Sequence, residues 1–348
     1  MNVTEVLARR SYWLTAQSRH PIVLSTRVRL ARNLADRPFP TALNSETAEE
    51  TEAEIAAALE TESAEDLSLQ YLSLKDMDDM EKSVLVERHL ISPALAALGA
   101  GRGIALSPEH RLAVMVNEED HIRMQVILPG VALQEAFRLA DQLDDFLEAK
   151  LDFAFQERYG YLTSCPTNVG TGMRVSTMMH LPALVMTKQM QQVLNALSPL
   201  GLAIRGLYGE GSKAWGNIFQ ISNQVTLGKS EEDTLVNIEA VTQQICELEN
   251  KARQMMLAGR GALEDKVWRA RGILGSARIM PAEEAFRLVS EDRLGIDMNF
   301  LQPHSESFAA LFLNLLPAGL RYNSGKEMNE EQLNVARADY LRAAVNGE

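Results

Sequence analysis

Three consecutive carboxylates, Glu118, Glu119 and Asp120, follow Asn117 in the stretch Val116 to Ile127, VNEEDHIRMQVI. Like charges this close raise one another's free energy unless a cation comes to meet them. Arg123 stands three residues beyond the last acid, on a segment in which Ile122, Met124 and Val126 alternate with Arg123, Gln125 and Ile127. That is the period of a half-buried strand, so an acid pocket and an arginine can share one strand end. Such a pairing suits a site that binds a cation beside an anion. A solvated acidic turn between hairpin strands would be spelled the same way.

Three further short runs carry arginine: LSTRVRLARN (Leu24 to Asn33), CPTNVGTGMR (Cys165 to Arg174) and RGLYGEGS (Arg205 to Ser212). In the first, alternation puts Arg27 and Arg29 on one face of an extended segment, with a spacing that suits two adjacent phosphate groups. A charged edge strand is the alternative. The chain contains no GxxxxGK[ST] and no HRD or DFG set, which excludes phosphate binding of the P-loop or protein-kinase type. Arginine is what it offers instead, a planar and permanently charged fork that neutralises phosphate oxygens two at a time.

Composition bounds what these groups serve. A chain of 348 residues suggests one large domain and a smaller one, and 46% hydrophobic residues are ample for a core. No apolar run is long enough to span a membrane, and the N-terminal MNVTEVLARRSYWLTAQ has charges where a signal peptide needs an apolar stretch, so the expected location is the cytoplasm. The two cysteines, Cys165 and Cys246, lie far apart in different contexts, which fits a reducing compartment and excludes a cysteine metal cluster. A net charge of −13 disfavours nucleic acid and favours cationic partners such as arginine-rich proteins.

The elements that must position these residues mix helices with antiparallel-looking strands and lack a regular βαβ alternation, so the fold class is α+β. Strands are expected at about 22–34, 112–116, 121–128, 161–164, 172–180, 202–207 and 217–226. Helices are expected at about 46–60, 75–89, 94–98, 132–150, 187–197 and 230–257, followed by helical patterns only, at 262–273, 282–289, 307–316 and 330–345. A boundary near Gly259 to Gly261 divides residues 1–258 from a small all-helical domain at 259–348.

In this order the four arginine and acid motifs resemble the phosphagen (guanidino) kinase family. The longer spellings STRVRLARN, VERHLISP, GTGMRVSTMMHLPAL and RGLYGEGSKAWGNIFQISNQVTLGKSEED are similar to its bacterial protein-arginine kinase branch, densely from about Ile22 to Asn250. The resemblance implies an antiparallel sheet flanked by helices and transfer of the γ-phosphoryl group of ATP, with Mg2+, to arginine side chains. It places Arg27, Arg29, Arg123, Arg174 and Arg205 around the nucleotide phosphates. Backbone groups of Ser25, Thr26 and Val28, of Val175, Ser176, Thr177 and Met178, and of Gly206, Leu207, Tyr208, Gly209 and Glu210 flank the nucleotide in the same comparison. His89 matches a histidine near the adenine, a structural histidine being the alternative. Magnesium is held mainly by nucleotide and water, with no protein ligand assigned.

A guanidinium is a poor nucleophile, since its pKa lies above about 12. Two carboxylates on either side would orient its fork and accept its proton. Glu119 matches the family's catalytic glutamate, Glu210 the second glutamate of arginine-directed members, and Cys165 the reactive cysteine, whose thiolate neighbouring cations favour. Asn117, Glu118 and Asp120 are expected to support them.

Two departures shape the substrate. Members acting on small molecules carry a helical domain ahead of the STRVR-like strand, whereas few residues precede Ser25 here, leaving room for an arginine on a protein surface. In the resembled branch the C-terminal helices bind phosphoarginine through RDxxRA. This chain reads Ala338, Asp339, Tyr340, Leu341, Arg342, Ala343, with Arg337 one place early, so a pocket at Asp339 and Arg342 competes with an ordinary exposed helix. The branch further implies protein substrates with exposed arginine, a separate activator, a Clp ATPase whose protease degrades the marked proteins, a role in stress response, and a homodimer. A kinase of free arginine and a non-catalytic adaptor that binds phosphoarginine are the alternative functions.

Overall fold

A computed structural model describes residues 3–15, 20–60, 67–197, 199, 201–206 and 215–347. Ten strands lie, in chain order, at β1 (Val23–Arg32), β2 (Gln70–Ser73), β3 (Gly103–Leu106), β4 (Leu112–Val116), β5 (Ile122–Pro129), β6 (Phe155–Gln156), β7 (Gly160–Tyr161), β8 (Met173–His180), β9 (Leu202–Gly206) and β10 (Ile218–Asn223) among the described residues. The helices are α1 (Val3–Ala8), α2 (Tyr12–Thr15), α3 (Ser45–Glu60), α4 (Asp79–Glu87), α5 (Pro93–Ala96), α6 (Leu133–Glu148), α7 (Pro182–Met186), α8 (Met190–Leu197), α9 (Glu231–Met256), α10 (Arg260–Ser276), α11 (Ala282–Asp297), α12 (Phe308–Leu313), α13 (Pro317–Ser324) and α14 (Glu330–Asn346). The class is α+β, with an antiparallel sheet, flanking helices and a helical C-terminal region. No described helix is long and apolar enough to cross a membrane.

The chain forms two compact units, and their boundary runs through β1 and β8. The first gathers Met1–Trp13, Ser25–Ser176 and Asn223–Ile238. Its strands follow the order β2-β3-β4-β5-β1-β8. Register decides which residues share a face, because directly paired residues project to the same side. Arg27 pairs with Ile127, Arg29 with Gln125 and Ala31 with Arg123, so Arg27 and Arg29 of β1 and Arg123 of β5 stand on one face. The other face carries Val28, Leu30, Met124 and Val126, all buried. Glu52 of α3 accepts hydrogen bonds from Tyr71 Oη and Ser73 Oγ, both at 2.6 Å, which docks that helix on the edge strand. Gly103, opposite Ser73, is required there, since a Cβ would lie 1.8 Å from Tyr71 Oη.

The second unit gathers Leu14–Leu24, Thr177–Ser222 and Glu239–Glu348. Leu263 and Val267 of α10 pack with Leu294 of α11 and Leu301. Phe286, Phe308 and Phe312 add tilted ring contacts with centroids 4.3 and 6.0 Å apart. Glu249 is fully buried and fully paired: it accepts from the N–H groups of Ala183 and Leu184 at the start of α7 and from Arg253 Nε at 2.9 Å.

Two expectations are corrected. The strand expected at 161–164 pairs only at Gly160–Tyr161, because Ser164 gives its N–H to the Asp120 carboxylate and not to a neighbouring strand. The helix expected at 187–197 starts later, at Met190 as α8, because Lys188 takes a left-handed φ of 60° just after the separate short helix α7.

Candidate active site

The three carboxylates of the acid turn are equivalent in sequence, and the fold gives them three different tasks. Asn117 opens the turn at φ 55°, a conformation asparagine tolerates, and its Nδ2 donates to the carbonyls of Ala48 and Gly101. Glu118 is 9% exposed. Its Oε2 accepts from Arg123 Nη1 at 2.5 Å and from Glu119 N at 3.0 Å, while Oε1 accepts from Ser92 Oγ at 2.5 Å. Burial pushes this carboxyl up, but Arg123 and the three hydrogen bonds outweigh that and hold it below the usual range. Asp120 is fully buried and accepts from Asn33 Nδ2 and Ser164 N, both at 2.7 Å, which ties the turn to the loop entering Cys165.

Glu119 is left over. Its carboxylate accepts one hydrogen bond among the described residues, from Asn168 Nδ2 at 3.5 Å. Burial raises its pKa, Asp120 and Glu118 raise it further, and Arg123 and Arg174 oppose them. A carboxylate so placed is weakly solvated and well suited to take a proton.

Asn168 belongs to a tight turn, Pro166–Asn168, that begins at Cys165. Its Oδ1 accepts from Arg174 Nε at 2.9 Å, so one side-chain amide bridges Glu119 and Arg174. Arg174 Nη2 donates to Thr167 Oγ1 at 3.1 Å, and the same hydroxyl lies 3.1 Å from Cys165 Sγ. Cys165 is a free, half-buried thiol.

Around this group stand the arginines of the sheet. Burial and then the neighbouring Arg123 bring Arg27 down to about 10, and burial together with Arg27, Arg123 and Arg174 lowers Arg29 further. Guanidinium groups do not lose their proton at physiological pH, so crowding four of them is a stored affinity for a polyanion. Arg29 Nε is buried with no hydrogen-bond partner among the described residues. His89 occupies a left-handed turn at φ 60°, with its ring 6.2 Å from that of Trp13. Burial and Arg27 lower it to about 3, so it is neutral.

Residues 50–252 match the family model of the ATP:guanido phosphotransferase C-terminal catalytic domain, and residues 260–347 match that of the protein-arginine kinase McsB C-terminal domain. The chain is 45% identical over 348 residues to the protein-arginine kinase of Moorella thermoacetica, covering 98% of this chain and 99% of that one. The chain belongs to the ATP:guanido phosphotransferase family, in its protein-arginine kinase branch. It is likewise 43% identical to the protein-arginine kinase of Halothermothrix orenii, over 97% of each. Its fold is similar to the crystal structure of lombricine kinase, with a TM-score of 0.59 and 25% identity over 71% of this chain and 70% of that one. The family is one of phosphotransferases that use ATP.

Of the residues singled out in the sequence, the first unit brings together Arg27, Arg29, His89, Glu119, Arg123, Cys165 and Arg174. Ser25, Thr26, Val28, Val175 and Ser176 are buried in the same unit. Thr26 Oγ1 donates to Gly130 O at 2.7 Å, and Val175 gives its N–H to Asn223 Oδ1 at 2.8 Å. Thr177, Met178, Arg205 and Gly206 lie in the second unit. There Thr177 Oγ1 meets Thr242 Oγ1 at 3.1 Å, and Arg205 is half-buried on β9. Leu207, Tyr208, Gly209 and Glu210 lie outside the described residues.

Asp339 is exposed and ion-paired with Arg342, whose Nη1 donates to Ala277 O at 2.5 Å. Arg337 is fully buried and donates to Leu315 O, Met280 O and Asn334 Oδ1, which is a packing role. Ser92, Asn33, Thr167 and Asn168 escaped sequence reasoning. Each stood inside a quoted motif, and the only signal was a small polar residue in an otherwise apolar or charged run.

Proposed function

We propose that this protein transfers the γ-phosphoryl group of ATP to arginine side chains of other proteins. The observation that carries the reading is Glu119: a carboxylate with a raised pKa, held beside a cluster of arginines, while its two acidic neighbours are consumed by structural bonds. In the reaction a guanidine nitrogen of the acceptor attacks the γ-phosphorus. The N–P bond forms, the bond to the bridging β,γ-oxygen breaks, ADP departs, and the proton lost by the guanidinium passes to Glu119. Arg27, Arg29, Arg123, Arg174 and Arg205 neutralise the phosphate oxygens as charge redistributes, and His89 borders the purine. Glu210 and Cys165 are the further residues assigned to the acceptor guanidinium by the family resemblance.

Magnesium would neutralise the β- and γ-phosphates. It would be coordinated mainly by the nucleotide and water.

The wider role extends the same reading. Residues 1–258 form the catalytic domain and 259–348 a helical domain, in which Asp339 and Arg342 supply the two charges that a phosphoarginine needs, a carboxylate for its guanidine and a guanidinium for its phosphoryl group. The product marks cytoplasmic proteins for a Clp ATPase and its protease during stress, with a separate activator and a homodimeric enzyme. The test is incubation with ATP, Mg2+ and an arginine-rich protein, followed by mass spectrometry under conditions that preserve acid-labile phosphoarginine. Phosphoarginine on the protein is expected; ATP consumption with free arginine alone would overturn the protein-directed reading.

A further inference from the structure

We propose that Ser92 is a positioning residue for phosphoryl transfer: its hydroxyl locks the turn that carries His89 to the one carboxylate that orients both Arg123 and the backbone of Glu119. The inference rests on the proposed roles of Glu119 as base and Arg123 as phosphate ligand.

Glu118 receives donors from three separate segments. Arg123 Nη1 comes from β5, Glu119 N from the acid turn and Ser92 Oγ from the start of α5. The first two share Oε2, so among the described residues Ser92 alone holds Oε1. The terminal torsion of a glutamate is broad and roughly two-fold, and a carboxylate held through one oxygen can swing about it. Any such swing carries the Arg123 fork and the Glu119 amide with it. Ser92 Oγ also accepts from Leu95 N at 3.0 Å, which fixes the orientation of the hydroxyl, and the carboxylate can only accept.

The same turn is stitched to the sheet a second time. Gln125 Nε2 donates to His89 O at 2.8 Å, and Gln125 lies on the face of β5 that carries Arg123. Glu118 and Gln125 are 9% and 2% exposed, so water competes poorly for either bond. The segment from His89 to Ser92 therefore fixes the purine side of the site and the base side with one short piece of chain. Ser92 touches neither ATP nor acceptor in this arrangement, and its effect passes through Glu118.

The test compares Ser92→Ala and Ser92→Thr in the full chain, by steady-state kinetics at temperatures below both melting transitions. Loss of a hydrogen bond to a charged group predicts a kcat lower by about tenfold or more for Ser92→Ala, with KM for the protein substrate changed less than about twofold. Ser92→Thr keeps the hydroxyl and the helix cap and restores kcat. A Ser92→Ala enzyme within about twofold of wild-type kcat overturns the inference, as does a Ser92→Thr enzyme as impaired as the alanine variant. Glu119→Gln, assayed alongside, separates the two claims: if it turns over normally the base assignment fails, whereas its inactivity beside a normal Ser92→Ala enzyme condemns the Ser92 role alone.

Discussion

Replacing Glu118 with glutamine keeps the shape of the side chain and removes its charge, and its consequence can be worked from the contacts. The carboxylate accepts from Arg123, Glu119 N and Ser92 at 2.5, 3.0 and 2.5 Å. An amide has one oxygen, so it keeps Arg123 and Glu119 N and turns a donor toward Ser92. Breaking a buried ion pair costs about 3–5 kcal/mol when the remaining charge stays buried. Arg123 is 20% exposed at its side chain, so water recovers part of that, leaving about 2–3 kcal/mol. For a protein of this size the melting temperature should fall by roughly 3–4 °C.

The counterpart is that the arginine cluster gains a net positive charge. Its affinity for a polyphosphate should therefore rise, and ATP should raise the melting temperature of Glu118→Gln by more than it raises that of the wild type. Differential scanning fluorimetry with and without ATP measures both quantities. A variant that melts with the wild type, or gains less from ATP, would refute the view that Glu118 restrains an anion-binding cluster.

The pH dependence of kcat/KM should show an acidic limb above the ordinary carboxylate range. The sign follows from the raised pKa of Glu119, since activity needs the ionised form and is lost as pH falls through that value. A limb at or below the range of an exposed glutamate would count against it. Glu249→Ala in the second unit should lower stability by about 3–5 kcal/mol, because it strips the start of α7 of its acceptor and leaves Arg253 with Asp297 alone of the two carboxylates it pairs with, as chemical denaturation would register.

The arginine face was legible in the chain because strand periodicity is local. Arg27 and Arg29 alternate with buried neighbours, and Arg123 with Met124, whatever the rest of the molecule does. The sorting of Glu118, Glu119 and Asp120 was expected from the resemblance, but its physical cause was not legible. It depends on Ser92, Asn33 and Asn168, which lie 26, 87 and 49 residues from the carboxylates they meet. The late start of α8 escaped for a different reason: a left-handed lysine at 188 has no spelling of its own. The short pairing at Gly160–Tyr161 escaped because the competitor for Ser164 N was a side chain, Asp120, and propensity describes backbone partners only.

In the proposed reaction one carboxylate of the acid turn takes the proton while the arginines hold the nucleotide. Single-turnover phosphoarginine formation by Glu119→Gln, measured together with its ATP affinity, addresses it directly. ATP binding close to wild type and a transfer rate lower by about 10²–10⁴-fold are expected. A Glu119→Gln enzyme that binds ATP and still forms phosphoarginine at the wild-type rate would contradict that role for Glu119.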